Sequence, residues 1–346
     1  MLADGEIQEF QDALLGWFDL HKRALPWRRT SDPYAIWVSE VMLQQTRVAA
    51  VIPFYEEFLR RFPTLQTLAH APEADLLAHW AGLGYYHRAR SMQKAAQKAC
   101  ETGAFPETHE GIRALPGVGE YTSAAVASIA FHLPVAAVDG NVLRVLARVL
   151  ADATDIGTNA GKKHFSLAAD ALLARERSGD HNQAMMELGA TVCLPKNPQC
   201  LLCPVARICR ARNSGRQNEL PVKLLRKRTV QEERVLFWIE RNREILLWQR
   251  PASMRLMPGF WELPEQAQLP HAVPGQVLGA FRHGITFHDY GFEVRATELT
   301  GDVGECQWMA LDSLSSIPAS TILRKAQRAI KSRSNLRSYS EVVGEK

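Results

Sequence analysis

Residues 193–209, CLPKNPQCLLCPVARIC, decide how this chain is interpreted. The stretch holds four cysteines in the spacing C-x6-C-x2-C-x5-C, at Cys193, Cys200, Cys203 and Cys209. The other two cysteines of the chain lie far from it. Four thiolates this close together need positive charge to neutralise them, and a metal centre supplies that charge. The sequence therefore predicts a metal centre here.

The spacing also bears on the type of centre. Structural disulfides are typical of small secreted domains, whereas this chain has 346 residues and an acidic start, MLADGEIQEF, that fits neither a signal nor a transit peptide. Zinc held by four cysteines is the main alternative, but its ligands usually come as two short pairs. Because the cysteine stretch does not divide into two such pairs, we predict a [4Fe–4S] cluster.

Composition is that of an ordinary globular protein, with 46% hydrophobic and 23% charged residues and a net charge of +4. The length allows two domains, and no apolar run is long enough to cross a membrane. Eight Lys and Arg stand between Arg207 and Arg228 against one acid, Glu219. A basic stretch of this kind either binds phosphates or is a solvated linker.

Up to Cys193 the pattern predicts helices and no strand. Asp32 and Pro33 have the form of an N-cap and a first-turn proline, which predicts a helix as far as Gln45. Asp139 precedes a stripe of leucines at helical spacing. Further helices are predicted from Pro72, over Arg88–Cys100, and from an Asp180 cap to Thr191.

After the cysteines the pattern changes. A polar, turn-rich segment starts at Asn213, and residues 235–239 and 244–248 then predict a β-hairpin around Arg241-Asn242-Arg243. Further strands are predicted near Val277–Arg282, Tyr290–Thr297 and Glu305–Leu311, with a closing helix at Thr321–Lys331. We expect a helical domain at 1–212, a linker at 213–231 and an α+β domain at 232–346.

Residues 115–125, LPGVGEYTSAA, predict a tight hairpin that leads into an alanine-rich helix. Gly117 and Gly119 allow positive φ and close approach of a ligand to the backbone, so amides at the helix start can bind a phosphate. Such a contact grips nucleic acid without reading its sequence. An ordinary turn between helices is the alternative, and the downstream cysteine stretch favours the nucleic-acid interpretation.

With these motifs the chain resembles the helix-hairpin-helix DNA glycosylases of the endonuclease III superfamily, whose cluster loop has the same cysteine spacing. Within that superfamily it resembles the MutY-type adenine DNA glycosylases. The matching stretches are LPWR (25–28), WVSEVMLQQT (37–46), GLGYYHRAR (82–90) and VDGNV (138–142). The resemblance is specific up to Cys209 and looser over the remaining third.

Glu40 stands out on physical grounds. Its neighbours at helical spacing include Ile36, Trp37 and Leu43, so it is expected on a largely apolar face. Desolvation there raises the pKa of a carboxyl and keeps it protonated near neutral pH. An exposed helix position is the alternative. The resemblance implies that Glu40 is the general acid that protonates adenine N7.

Asp139 is explained by helix capping alone, but a second role is compatible with that one. We expect the helix amides to lower its pKa and hold it charged. One protonated and one charged carboxyl suit cleavage of a glycosidic bond. The resemblance implies that Asp139 stabilises the sugar cation, that Asn141 supports it, and that Tyr121 lines the same pocket.

Tyr121 also separates two subfamilies. Endonuclease III-like enzymes have a lysine at the second position after LPGVG, and that lysine forms a Schiff base with the sugar. A phenol forms no imine, so strand cleavage by that route is unavailable. We therefore expect a monofunctional glycosylase. An oxidised-pyrimidine glycosylase with lyase activity and a non-catalytic, redox-sensing DNA-binding protein are the alternatives.

Reaching a base inside a duplex requires flipping the nucleotide out of the stack. The resemblance places Gln45 and Tyr85 at the positions that fill the gap, although Tyr85 also fits a role in helix packing. Arg88 favours a surface that faces DNA. Lys196, the only cation between the first two cysteines, is expected to approach phosphates.

The C-terminal part resembles the Nudix-like domain that MutY-type enzymes use to read 8-oxoguanine, through WQR (248–250) and PGFWELP (258–264). The sequence contains no acidic metal-binding helix of the REx2E type, so we expect no nucleotide hydrolysis. The family's Phe-Ser-His triplet is not intact in RHGITFH (282–288). Two replacements are compatible with the sequence: Thr286 in place of the serine hydroxyl, or Thr286-Phe287-His288 as a shifted version of the triplet.

Taken as a whole, the sequence predicts an all-α helix-hairpin-helix domain with a cluster loop, followed by an α+β Nudix-like domain. The expected substrate is duplex DNA with adenine opposite 8-oxoguanine or guanine. We expect a monomer without membrane contact, located in the cytoplasm and associated with the nucleoid if the source is bacterial. Protein partners are not predicted.

Overall fold

The structure is a computed structural model, and it describes residues 2–224, 230–254, 257–285, 288–299, 301–315 and 317–343. The chain divides into two compact units. The first comprises Met1–Ala71 and Arg90–Arg226, and the second comprises Pro72–Ala89 and Lys227–Lys346.

The regular structure of the first unit, over residues 2–71 and 90–224, is helical, as predicted. Its α-helices are α1 (Asp4–His21), α2 (Pro33–Leu43), α3 (Val48–Arg61), α4 (Leu65–Ala69), α7 (His109–Arg113), α8 (Glu120–Phe131), α9 (Gly140–Val149), α10 (Asn159–Leu172), α11 (Ser178–Thr191) and α12 (Arg210–Asn213). Two helices at Pro72–Ala89 involve the second unit: α5 (Glu73–Trp80) lies in it, and α6 (His87–Glu101) begins there and continues in the first.

Local sequence explains where several helices begin. The Asp32 side chain accepts a hydrogen bond from the Tyr34 amide at the start of α2, and Asp139 does the same for two amides at the start of α9. Two predicted boundaries are wrong. Helix α2 ends at Leu43, because Gln45 has φ of +59°. Asp180 lies inside α11, where it pairs with Arg177 at 2.6 Å.

The largest core of the first unit lies between α1, α9, α10 and α11. Phe10, Leu14, Leu146, Phe165 and Leu188 are all fully buried within it. Burying a side chain of this size contributes about 1.5–3 kcal/mol. This core holds α9, and with it Asp139, in a fixed place.

The second unit contains the strands β1 (Val230–Trp238), β2 (Glu240–Arg241), β3 (Glu244–Gln249), β4 (Trp261–Glu262), β5 (Val273–Ile285), β6 (His288–Glu298) and β7 (Cys306–Ala310), and the helix α13 (Thr321–Val343). One sheet has the order β1-β6-β5, with β1 parallel to β6 and β5 antiparallel to it. The other joins β2, β3 and β4, and β7 also pairs with β3. An α+β C-terminal part is therefore confirmed.

The structure confirms the turn of the predicted hairpin, but most of the strand before the turn pairs with a different strand. Asn242 and Arg243 both have positive φ, as a two-residue hairpin turn requires, but only Glu240 and Arg241 pair across it with β3. Residues 235–238 belong to β1 and pair with β6 instead. The sequence pattern predicts both strands, but it does not indicate which distant strand each of them pairs with.

Residues 72–89 group with the second unit, which the sequence did not indicate. The rings of Tyr86 and Phe260 lie 4.1 Å apart between centroids, and this is one contact that ties the segment to the C-terminal fold. The domain limits 1–212 and 232–346 stay a prediction. No helix in the described ranges has the length and apolarity needed to cross a membrane.

Two glycine substitutions test the helix packing. In Gly179→Ala on α11, the new Cβ would lie 2.6 Å from the Ser128 carbonyl oxygen, so we expect a loss of about 1–3 kcal/mol in the free energy of unfolding. In Gly16→Ala on the exposed side of α1 nothing lies within 4 Å, so a gain of about 0.5–1 kcal/mol is expected. Urea denaturation of both variants measures the difference, and equal effects would contradict the packing.

Candidate active site

A cavity of about 750 Å³ lies within the first unit, a size typical of pockets for small molecules. Residues from α2, α8, α9 and α11 contribute to its wall. The lining includes these residues predicted from the sequence: Glu40, Gln45, Gly117, Gly119, Tyr121, Asp139 and Asn141. The structure therefore brings together stretches that are up to a hundred residues apart in the chain.

Glu40 lies on α2 with only 5% of its surface exposed. Burial raises its pKa to about 7, and the nearby charge of Asp139 adds to this effect. The Tyr121 hydroxyl donates a hydrogen bond of 2.6 Å to Glu40 Oε2, which opposes the rise. The direction is the one expected from the apolar neighbours in the sequence. Glu40 is thus half-protonated near neutral pH.

Asp139 accepts three hydrogen bonds at the start of α9. Its Oδ1 accepts from the amides of Asn141 and Val142 at 2.9 and 2.8 Å, and its Oδ2 accepts from Asn141 Nδ2 at 2.8 Å. Our expectation of a lowered pKa is wrong: the pKa of Asp139 is raised, because burial outweighs these hydrogen bonds. The sequence showed the cap but not the depth of the cavity.

Glu40 and Asp139 differ in the hydrogen-bond donors that stabilise their charged forms. Among the described residues, Asp139 has three donors, whereas Glu40 has the single donor Tyr121. Since two nearby carboxylates repel each other, they titrate as a pair, and the proton prefers the member with fewer donors. The difference in donors therefore favours placing the shared proton on Glu40 rather than on Asp139.

Helix α9 also links this cavity to the cysteine stretch. Arg144 donates to Asn141 Oδ1 at 2.9 Å and to the Cys193 carbonyl at 2.8 Å. A Cβ on Gly189 would lie 2.5 Å from Asn141 Cβ, so only glycine allows α11 this close to α9. Asn141 is consequently held from two sides, and Asp139 with it.

All four cysteines of the stretch line one small pocket. Arg148 at the far end of α9 donates to Cys193 Sγ at 3.2 Å and to the carbonyls of Leu194 and Pro195. In the described residues, no three His, Cys, Asp or Glu side chains are gathered closely enough to hold a single metal ion. The four cysteines around this pocket, with the Arg148 guanidinium beside Cys193, are the residues that would hold a cluster through thiolate ligands.

Sequence reasoning missed a buried ion-pair network on the cavity wall. Glu187 on α11 has only 2% of its side chain exposed, and it accepts hydrogen bonds from Arg23 at 2.6 Å and Arg28 at 3.0 Å. In the sequence, Glu187 lies among Ala184, Leu188 and other apolar residues, and apolar neighbours of the same kind indicated the burial of Glu40.

The hairpin after α7 matches the prediction at one glycine. Gly117 has φ of +75°, and a Cβ there would lie 2.5 Å from Ser91 Cβ. Gly119 has φ of −96° and serves as the N-cap of α8, so the expected positive φ is wrong at that position. The positive φ of Gly117 is enough to redirect the chain toward the start of α8.

The two residues expected to fill the gap in DNA share a strained backbone. Gln45 has φ of +59° and Tyr85 has φ of +48°, values that non-glycine residues seldom adopt. Tyr85 is 43% exposed. Strain of this kind costs about 1–3 kcal/mol and often marks a functional position. Gln45 lies in the first unit and Tyr85 in the second.

Arg88 does not face DNA as expected, because it is 5% exposed. Its guanidinium donates to the carbonyls of Leu83 and Gly84 and packs over the rings of Trp80 and Tyr85. Arg88 therefore supports the turn that carries Tyr85. Burial lowers its pKa to about 10, so it stays charged.

The remaining basic residues are placed as follows. Lys196 is exposed in the loop between the first two cysteines. In the basic stretch, Arg210 pairs with Glu6 of α1 at 3.1 Å and Arg207 lies 3.8 Å from Glu9. Part of this stretch therefore attaches the cysteine loop to α1.

In the second unit, His288 begins β6. Its Nδ1 lies 2.7 Å from Glu232 Oε1, and its ring stacks on Tyr290. Thr286, the other expected contact to the opposing base, lies outside the described residues. The role of this segment stays a prediction.

Residues 38–168 match the model of the HhH-GPD superfamily of base excision DNA repair proteins. The chain is 35% identical to a human adenine DNA glycosylase, over 93% of this chain and 74% of the human protein. It is 46% identical to the rat adenine DNA glycosylase, and the match covers 62% of this chain and 45% of the rat protein. A solved thermostable thymine-DNA glycosylase shares 27% identity with a TM-score of 0.57, covering 61% of this chain and 98% of that one.

The raised pKa of Glu40 predicts an effect on stability. Between pH 4.5 and 7 the folded protein holds a proton on Glu40 that the unfolded chain has lost, so the contribution of Glu40 to the free energy of unfolding falls by about 3 kcal/mol as pH rises through this window. Buried His181, whose pKa is lowered to about 4, contributes in the opposite direction, so the quantity to compare is the difference in free energy of unfolding between Glu40→Gln and the unsubstituted protein, which should change by this amount. Urea denaturation from pH 4.5 to 8 measures it.

Glu56→Gln is the matched control, since Glu56 is an exposed acid on the neighbouring helix α3. It should keep the pH dependence of the unsubstituted protein. A Glu40→Gln curve parallel to that of the unsubstituted protein would show that Glu40 is not buried as described.

Proposed function

The chain belongs to the family of adenine DNA glycosylases, enzymes of base excision repair, and from this premise we propose that it removes adenine opposite 8-oxoguanine or guanine by acid catalysis. The observation that supports the mechanism is the pair Glu40 and Asp139 on the wall of one cavity. Duplex DNA enters as the substrate, and the target adenosine flips out of the stack into this cavity.

Glu40 supplies the proton. In its protonated form it donates to N7 of the flipped adenine, and the electron pair of the glycosidic bond then leaves with the base. The Glu40 carboxylate that remains takes a proton from the water that adds to the sugar carbon. Adenine and an abasic site are the products, and Glu40 is protonated again.

Asp139 stabilises the sugar cation that forms as the bond breaks. Its three hydrogen bonds favour its charged form, and the positive sugar favours it further. Asn141 donates to the Asp139 carboxylate and accepts from Arg144, so the two residues keep the carboxylate in place. Glu187 with its two arginines forms a polar wall for the base edge.

Tyr121 supports a monofunctional enzyme. Its hydroxyl is bonded to Glu40 on the wall of the cavity, and a phenol forms no Schiff base with an abasic sugar. The reaction then ends at the abasic site.

We further propose that Cys193, Cys200, Cys203 and Cys209 hold a [4Fe–4S] cluster. A cluster supplies a rigid anchor for this loop and a redox centre. The chain contributes Arg148, which donates to Cys193 Sγ and orders the loop carbonyls. Lys196 in the same loop is a contact for DNA phosphate.

The C-terminal unit is proposed to be the Nudix-like reader of the base opposite adenine, with His288 at the start of β6 as a contact. Gln45 and Tyr85 keep the emptied stack open. We propose that the protein is a monomer and that it is located in the cytoplasm or nucleoid.

Glu40→Gln tests the mechanism. A glutamine cannot protonate the base, so we expect adenine release to fall by at least about 100-fold. Single-turnover assays on A:8-oxoguanine and A:G duplexes measure the rate, with Glu56→Gln as the control. Unchanged release in Glu40→Gln would show that another group is the acid, and no release by the unsubstituted protein would favour a binding protein.

The pH dependence gives a second test. Because Glu40 acts in its protonated form, the rate should fall as pH rises through about 7. Tyr121→Phe removes a hydrogen bond that lowers this pKa, so the fall should move to higher pH. Efficient borohydride trapping of the unsubstituted protein on an abasic duplex would contradict the monofunctional proposal.

A further inference from the structure

A shallow groove runs between β5 and α13 of the second unit. Its volume is about 490 Å³, and it is lined by Gly279, Ala280, Phe281, Arg282, Lys325, Arg328, Ala329 and Ser332. We refer to it as the β5–α13 groove. The lining contains three cations, one hydroxyl and no acid.

Small residues keep the groove open. A Cβ on Gly279 would lie 2.9 Å from the Ala329 backbone, so strand and helix meet here without an intervening side chain. Larger residues at these two positions would fill the space or push the helix away. The cations consequently stand at the edges of an open channel.

Two of the three cations remain available to a ligand. Arg282 is paired with Asp289 at 3.0 Å and lies 3.6 Å from Glu233. Lys325 donates to the Arg282 carbonyl at 3.0 Å and meets His283 Nδ1 at 3.2 Å, which leaves one of its three N–H donors. In the described part of the chain, Arg328 has no ion-pair partner.

We propose that the β5–α13 groove binds the phosphate backbone of DNA. Lys325 and Arg328 lie about one helical turn apart, and Ser332, whose hydroxyl donates to the Arg328 carbonyl at 2.9 Å, extends the groove to about 10 Å along the helix, over which one DNA strand presents about three phosphates. An open channel with charge along one side suits a continuous backbone better than a single small molecule, which prefers an enclosed pocket. This inference rests on the proposed function, since it takes the enzyme's own substrate as the ligand.

The position of the groove agrees with this ligand. Strand β5 continues from the groove to Ile285, and β6 begins at His288. His288 is the residue proposed to contact the opposing base. A strand held in the groove would therefore be gripped within a few residues of the place where its base is read. Phosphate contacts position DNA, and base contacts specify it.

Arg328→Gln is the main test, with the full-length protein and a duplex that carries a non-hydrolysable adenosine analogue opposite 8-oxoguanine. Loss of one phosphate contact should weaken the Kd about 5-fold and lower the slope of log K against log salt by about one. Arg328→Lys keeps the charge and should bind like the unsubstituted protein. Fluorescence anisotropy from 50 to 200 mM salt measures both quantities.

Arg243→Gln is the matched control, because Arg243 is an exposed arginine of the same unit that pairs with Asp312 away from the groove. An equal loss in this control, or no loss in Arg328→Gln, would overturn the proposal. If Arg328→Gln abolishes binding of a free nucleoside triphosphate while DNA affinity stays unchanged, the groove is a nucleotide site instead.

The adenine-release assay separates this proposal from the proposed function. If the unsubstituted protein releases adenine and Arg328→Gln leaves the Kd and the salt slope unchanged, the groove alone fails. If the unsubstituted protein releases no adenine, the failure lies in the proposed reaction.

Discussion

The proposed chemistry of this protein depends on a carboxyl that is kept out of water. Glu40 is almost completely buried, and its one hydrogen-bond donor from the described residues around it is Tyr121. Removing a carboxyl from water favours its neutral form, and the Tyr121 bond only partly offsets that preference. The result is an acid whose pKa lies near the pH at which DNA repair takes place. Such an acid can give and recover a proton.

Helix α9 positions Asp139, the carboxyl that lies on the wall of the same cavity as Glu40. Asp139 begins the helix, Arg144 lies one turn further on, and Arg148 reaches the cysteine loop at the other end. The helix is packed into the largest core of the first unit. One packed helix therefore connects the cysteine loop with Asp139.

Much of the fold follows from local signals in the sequence. Asp32 and Asp139 cap helices as predicted, and apolar neighbours correctly indicated the raised pKa of Glu40. The failures concern distant contacts. The pairing of β1 with β6, the burial of Arg88 and the depth of the cavity around Asp139 all depend on residues far away in sequence. A single sequence contains no direct signal for such contacts.

The most direct test of the account is the pKa of Glu40 itself. Titration of the full-length protein with ¹³C-labelled glutamate, followed by NMR, gives the value, and the spectrum of Glu40→Gln assigns the resonance. The account predicts a midpoint near pH 7. A midpoint below about 5, in the range of an exposed glutamate, would contradict the proposed acid catalysis.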